Sequence, residues 1–186
     1  MRKLLVFNSI SMDGYFTDQN DDMSWAHKQD PEWNEFVASN AKSGGELLFG
    51  RVTYDMMKSF WPSPAATQMF PDVARGMNES PKVVFSRTLT EASWQNTRLI
   101  KDNLAEAVRN LKHEPGPGLV LMGSGSIIAQ LAPEGVIDEY QIVTNPIVLG
   151  AGRTMFEGVE KKLKLQLTNT RAFENGNVLL SYLPSS

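Results

Sequence analysis

The sequence predicts a three-layer α/β fold, a mostly parallel mixed sheet flanked by helices and closed by an antiparallel C-terminal hairpin. Apolar, β-branched runs alternate with helix-like segments along most of the chain, as in a layered α/β domain. Three of these runs stop in small, polar or basic residues that lead toward a helix or loop. Near the end, two strand-like runs flank Glu174-Asn175-Gly176, and Asn-Gly is the strongest short hairpin signal because both residues tolerate positive φ.

The first strand is predicted over Lys3 to Ile10, followed by a polar, irregular stretch from Asp18 to Gln29. Asp30-Pro31-Glu32 then starts a helix, with Asp30 at the N-cap and Pro31 at a position that needs no N–H. Trp33, Phe36, Val37 and Ala41 form its apolar face, and Gly44-Gly45 end it. Glu46 to Phe49 is a second strand, closed by Gly50. Val52, Met56 and Phe60 put an i, i+4, i+8 stripe on the next helix, which Trp61-Pro62-Ser63-Pro64 breaks. The methionines and aromatics at helical spacing (Trp33, Phe36, Met56, Met57, Phe60) are assigned to the core.

One helical piece is expected between Ala65 and Met77, then strands at Lys82 to Phe85 and Thr97 to Ile100. Asn103 caps a helix reaching Lys112, with Glu106 placed as in a capping box. Leu119 to Met122 reads as a buried strand. Gly123-Ser124-Gly125-Ser126 leads into a short helix through Leu131, and Tyr140 to Thr144 is another strand. Lys164 to Phe173 and Asn177 to Leu183 make the hairpin.

The 186 residues contain no linker, low-complexity tract or long repeat, so one domain over 1–186 is expected. Eighteen Lys and Arg against 21 Asp and Glu leave a net charge of −3, without long blocks of one sign. Duplex DNA and anionic membranes both call for a concentrated basic face, so neither nucleic acid nor membrane is the expected partner. The absence of cysteine excludes disulfides, thiolate zinc sites, iron–sulfur clusters and cysteine nucleophiles. His27 and His113 are too few and too separated to suggest a metal site. The apolar run after Lys3 stops at Asn8-Ser9, too short for a signal peptide, and no stretch approaches the roughly 20 residues that cross a bilayer. A cytoplasmic protein is expected.

The three strand ends are Gly50-Arg51-Val52-Thr53, Ser86-Arg87-Thr88 and Gly123-Ser124-Gly125-Ser126. Ligands of open α/β sheets sit beyond the carboxyl ends of strands, so three such turns can converge on one ligand. Each offers free backbone N–H groups, hydroxyls, or an arginine that forks onto phosphate oxygens. Two arginines at different strand ends suit a dinucleotide with an extra ribose phosphate. Each turn read singly is also an ordinary tight turn, because glycine is the default residue there. The dinucleotide fingerprint G-x-G-x-x-G and the P-loop G-x-x-x-x-G-K-[ST] are both missing. Asp13, in Ser11-Met12-Asp13-Gly14, ends the first strand and is expected to face the same crevice; its other reading is an Asp-Gly turn. Asp30, beside Trp25 and Trp33, is either a helix cap or a carboxyl able to pass a proton to a ring nitrogen.

With these motifs in this order, the chain resembles the dihydrofolate-reductase-like superfamily, and within it the reductase domain of the riboflavin-pathway bifunctional deaminase-reductase and its stand-alone relatives. The markers are Ser11-Met12-Asp13-Gly14-Tyr15, Phe49-Gly50-Arg51-Val52-Thr53-Tyr54, Lys82 to Leu89, Met122 to Ser126, Ile137-Asp138-Glu139-Tyr140, and Asn145 to Gly152 with Phe156 after it. The resemblance implies NADPH as hydride donor and a homodimer. By position it implies Gly50, Arg51 and Thr53 along the pyrophosphate and adenosine, Ser86-Arg87-Thr88 at the 2′-phosphate, and Gly123, Ser124, Gly125 and Ser126 as a phosphate loop. That loop is often Gly-Gly in the family, and here Ser124 intervenes. The deaminase half, with its cysteine ligands, is absent. Met23, Trp25, Asp30 and Trp33 reproduce a spacing common in dihydrofolate reductases, whose acid assists protonation of a pteridine ring.

The reading is therefore an NADPH-dependent reductase of a C=N or C=O bond in a small heterocycle, of the pterin or ribosylaminopyrimidine class. Asp30 and Asp13 are its candidate catalytic groups and Trp25 a substrate contact. The alternatives are a non-catalytic, dimerising nucleotide-binding domain, or an α/β protein whose turns are structural. The segment from Asp18 to Gln29 separates them, because an enzyme should order it over a bound ring.

Overall fold

The computed structural model describes residues 1–28 and 30–185, so Gln29 of the polar segment lies outside the described residues. In chain order the elements are β1 (Leu4–Ser11), β2 (Tyr15–Asp18), α1 (Pro31–Ser43), β3 (Glu46–Gly50), α2 (Arg51–Phe60), α3 (Pro64–Met69), α4 (Pro71–Glu79), β4 (Lys82–Phe85) and β5 (Thr97–Ile100). They continue as α5 (Leu104–His113), β6 (Leu119–Met122), α6 (Gly125–Leu131), β7 (Glu139–Asn145), β8 (Gly152–Thr154), β9 (Leu165–Ala172) and β10 (Val178–Pro184).

One sheet runs β5-β4-β3-β6-β1-β7-β10-β9. From β5 to β7 every pairing is parallel; β10 then runs antiparallel to β7 and β9 antiparallel to β10. The Asn-Gly hairpin forms as expected: Phe173 N–H donates to Asn177 O at 2.9 Å, and Gly176 takes φ 88°.

Strands β3 and β4 are buried at every residue, as the apolar runs that follow Glu46 and Lys82 should be between two helical layers. Alternate side chains go to opposite faces. Leu48, Val83 and Phe85 join Val108 and Leu111 of α5 and Ile127 and Ile128 of α6. Leu47, Phe49 and Val84 pack instead with Tyr54 of α2, Met77 of α4 and Trp94. On that second face, Trp33 and Phe36 of α1 lie against Phe7, Val143, Phe173 and Leu179. Lys82, with no exposure, closes the C-terminal end of α4 by donating to the carbonyls of Met77, Asn78 and Ser80. Cations there complement the unpaired carbonyls of a helix end.

The structure departs from sequence expectation in four places. Pro71 divides the piece expected between Ala65 and Met77 into α3 and α4. Its ring removes a helical N–H, so a second helix restarts with proline in its first turn. Asn103 is the N-cap of α5, but at φ 54° its side chain makes no capping bond, so the capping box does not form. The segment 15–18 and residues 152–154 pair as a separate β2–β8 ribbon, too short to show a clear alternation in sequence. Finally, Val52, Met56 and Phe60 do not enter the core; they are 65%, 43% and 37% exposed, and Tyr54 is the residue α2 buries.

Among the described residues, no helix is long and apolar enough to cross a membrane.

Candidate functional site

Strand order reverses at the β3/β6 boundary. Chain from β3 leads into α2 on one face of the sheet, and chain from β6 leads into α6 on the other, so the two helix starts frame a crevice. This is where open α/β sheets hold ligands. A cleft of about 620 Å³ opens there.

All three strand-end turns meet in it. Gly50, Arg51 and Thr53 line the cleft, as do Ser86, Arg87 and Thr88, and also Ser124, Gly125 and Ser126. Gly123 stands behind this lining. Its φ is +60°, and a Cβ there would come within 2.8 Å of the Thr53 side chain, so glycine lets β6 turn close against α2. Ser124 follows with φ 58°, a left-handed conformation unusual for a residue with a Cβ. Its hydroxyl explains why serine stands there: it accepts from Gly50 N–H at 2.6 Å and lies 3.0 Å from Thr53 Oγ1, while Ser124 N–H donates to the same Thr53 oxygen at 3.1 Å. Ser124 and Thr53 thus clasp the two turns together across the switch point.

Neither α2 nor α6 has a side-chain cap, so their first amides are free to face an acceptor, and helix N-termini favour negative charge. Arg51 is held by Asp55 at 3.2 Å in an exposed pair, and Arg87 is exposed. This donor set fits a phosphate-bearing ligand.

Several lining residues were not foreseen. Met56, assigned by its spacing to the core, and Val52, on the same helical stripe, supply an apolar wall of the cleft. The loop Lys101-Asp102-Asn103 after β5 is a fourth strand end in the cleft. Its position between a strand and a helix is the available signal, although the same position makes Asn103 a candidate helix cap. Phe16, Thr17 and Arg153 come from the β2–β8 ribbon, and Asp21 and Met23 from the turn that follows β2.

The three residues proposed for catalysis and substrate lie outside that lining. Asp13 accepts from Ser11 Oγ at 2.6 Å, from Gly150 N–H at 2.7 Å and from Leu149 N–H at 3.1 Å. The Ser11 hydroxyl above all, then these amides, hold its carboxyl down at about 2. Asp13 therefore ties the end of β1 to the loop before β8, and an acid this strong is no reservoir of protons near neutrality. Asp30, 7% exposed, accepts from Glu32 N–H at 2.9 Å as the cap of α1 and from Asn175 N–H at 3.1 Å in the hairpin turn. Trp25 sits in a short 3-10 turn over 24–26, half-buried, its indole N–H on Asp22 O at 3.1 Å. Met23, two residues earlier, reaches the cleft.

Fold and cleft together define an α/β protein with the dihydrofolate-reductase-like sheet and a glycine-turned crevice at its switch point, lined by arginines at two of its strand ends. A family model described as "RibD C-terminal domain" matches residues 2–179, and the chain belongs to that family. It is 28% identical over 183 residues to the uncharacterized protein YyaP of Bacillus subtilis (strain 168), covering 97% of this chain and 94% of that protein. A crystal structure of a putative riboflavin biosynthesis protein from Shewanella sp. PV-4 superposes with TM-score 0.75 at 24% identity over the full length of both chains. Dihydrofolate reductase from Enterococcus faecalis, complexed with NADP(H) and RAB-propyl, gives TM-score 0.66 at 13% identity, covering 99% of this chain and 97% of that one. These likenesses establish the fold.

Proposed function

We propose that the protein is an NADPH-dependent reductase that delivers hydride to a C=N or C=O bond of a small heterocycle, of the pterin/dihydrofolate or ribosylaminopyrimidine class. It acts as a single-domain, cytoplasmic homodimer. The observation that carries the reading is the convergence of three strand-end turns, two of them bearing arginines, on one cleft at the sheet's switch point. Membership of a reductase-like family and the NADP(H) held by a structural neighbour point the same way.

The residues divide the work by chemistry. Gly50, Arg51 and Thr53 with the 123–126 turn would hold the pyrophosphate, through uncapped helix amides and a guanidinium. Ser86, Arg87 and Thr88 would hold the 2′-phosphate, where an arginine fork is the strongest available contact. Val52 and Met56 offer apolar surface to a flat ring. Bound NADPH supplies the hydride, and the chain's contribution is orientation. For the proton, Asp30 would assist rather than donate, from a position beside the cleft lining: each oxygen accepts one N–H and keeps a further lone pair, which would accept a ring N–H and favour the positive charge that builds as the reduced nitrogen takes its proton from water, with Trp25 as the neighbouring contact. Asp13 acts by fixing the loop that precedes β8.

The reading is tested by following NADPH oxidation with dihydrofolate and with a ribosylaminopyrimidine as acceptors. Turnover with one of them, slowed and altered in its pH profile by Asp30→Asn, is the expected result. No oxidation with either class defeats it, and an unchanged pH profile confines Asp30 to capping.

A further inference from the structure

One wall of the cleft is the β2–β8 ribbon, to which the turns above assign no role. Thr17 and Arg153 are directly paired across it, so their side chains leave the same face, and both line the cleft. Thr17 is 7% exposed, and its Oγ1 is buried with no hydrogen-bond partner among the described residues. A buried hydroxyl without a partner is costly, and one on a cleft wall points to a ligand that completes it. Arg153 is held by Asp21: Nε lies 2.9 Å from Oδ1 and Nη2 lies 3.4 Å from Oδ2, with both side chains 60% exposed.

Asp21 is placed for this contact by a strained turn. Its φ is 62°, and the turn is fixed by Asp18, whose Oδ1 accepts from Asn20 N–H at 2.7 Å and Asp22 N–H at 2.9 Å. Gly152 lets the ribbon close, because a Cβ there would collide with the Thr17 carbonyl. An exposed ion pair of this kind contributes little, so its carboxylate is readily displaced. A phosphate carries more charge and meets a guanidinium in the same forked geometry.

We propose that Arg153 and the Thr17 hydroxyl form a phosphate-binding subsite of the cleft, with Asp21 as the stand-in anion that orients Arg153 until the ligand displaces it. The proposal rests on the reductase reading for its ligand, whose phosphate belongs either to the cofactor's pyrophosphate or to a ribosyl-phosphate substrate.

Two substitutions with opposite expected signs test it. Arg153→Gln should weaken the phosphate ligand about tenfold or more, as loss of a charged hydrogen bond does. Asp21→Asn removes the competing carboxylate and should tighten the ligand, by up to about fivefold. NADPH and ribose 5-phosphate are titrated separately by calorimetry against wild type and both variants, with thermal unfolding recorded to verify folding. Opposite shifts with NADPH assign the cofactor's phosphate, and opposite shifts with ribose 5-phosphate assign the substrate's. Shifts of the same sign, or none, with both ligands overturn the subsite, because a purely structural tie loses the same contact whichever partner is removed. Thr17→Val supplies an independent readout: weaker ligand with unchanged or higher thermal stability supports the subsite, and unchanged affinity counts against it. If wild type binds ribose 5-phosphate with the expected opposite shifts but does not bind NADPH, the cofactor reading fails and the subsite stands.

Discussion

The two rims of the sheet use the same kinds of charged residue to opposite ends. At the rim where the parallel strands begin, Arg2 meets Glu46 at 2.7 Å with both side chains nearly buried, and Arg98 bridges Glu46 and Glu114 at 3.0 Å each. Lys112 joins Asp138 at 2.6 Å and also donates to Val136 O, while Asp138 accepts from Leu4 N–H. At the rim where the strands end, Arg51 and Arg153 meet only exposed carboxylates, and Arg87 and Lys101 have no ion pair among the described residues. Charges closed upon one another stabilise the fold; charges left open around glycine turns are available to a ligand.

Substitutions at the two rims should therefore separate stability from binding. The largest effect is expected at the closed rim. Glu46→Ala strands the buried Arg2 guanidinium, and breaking a buried pair costs about 3 kcal/mol or more. Urea denaturation should show that loss, while the variant, where folded, keeps wild-type NADPH affinity. At the open rim, Arg87→Ala should weaken NADPH by about 1.5–3 kcal/mol and leave NADH nearly unchanged. Its midpoint of unfolding should stay at the wild-type value, because Arg87 is exposed.

Ser124 belongs to both regimes. Ser124→Ala leaves the buried Gly50 N–H without its acceptor, about 1–3 kcal/mol by unfolding, and should loosen cofactor binding as the 50–53 and 123–126 turns separate. The smallest effect concerns Asp13. Its carboxyl is depressed from 3.8 to about 2, so the stability it lends is complete above pH 4 and is lost as pH falls through 2. The difference in thermal stability between wild type and Asp13→Asn should accordingly close between pH 4 and 2. A difference constant across that range would mean the Ser11 and Gly150 contacts do not favour the ionised form.

The same contrast explains what the sequence revealed. Buried parallel strands such as Leu47-Leu48-Phe49 and Val83-Val84-Phe85 are legible because they face apolar layers on both sides, and the Asn175-Gly176 hairpin because its turn chemistry is local. The three turns of the cleft were legible for the same reason. The α2 stripe misled, since an apolar side chain facing a ligand cleft has the same spacing as one facing the core: Val52 and Met56 share a face as expected, but that face is open. Tyr54, buried with its hydroxyl accepting from Trp94 N–H at 2.9 Å, lies off the stripe. The ribbon residues Thr17, Asp21 and Arg153 were invisible because their meeting depends on a pairing across more than 130 residues of chain.

The central claim is that the open rim reads the extra phosphate of NADPH through Ser86, Arg87 and Thr88. Fluorescence titration of the wild-type protein with NADPH and with NADH, at one ionic strength, tests this most directly. The account predicts NADPH at least about tenfold tighter, the difference a charged hydrogen bond confers. Equal affinities would contradict it.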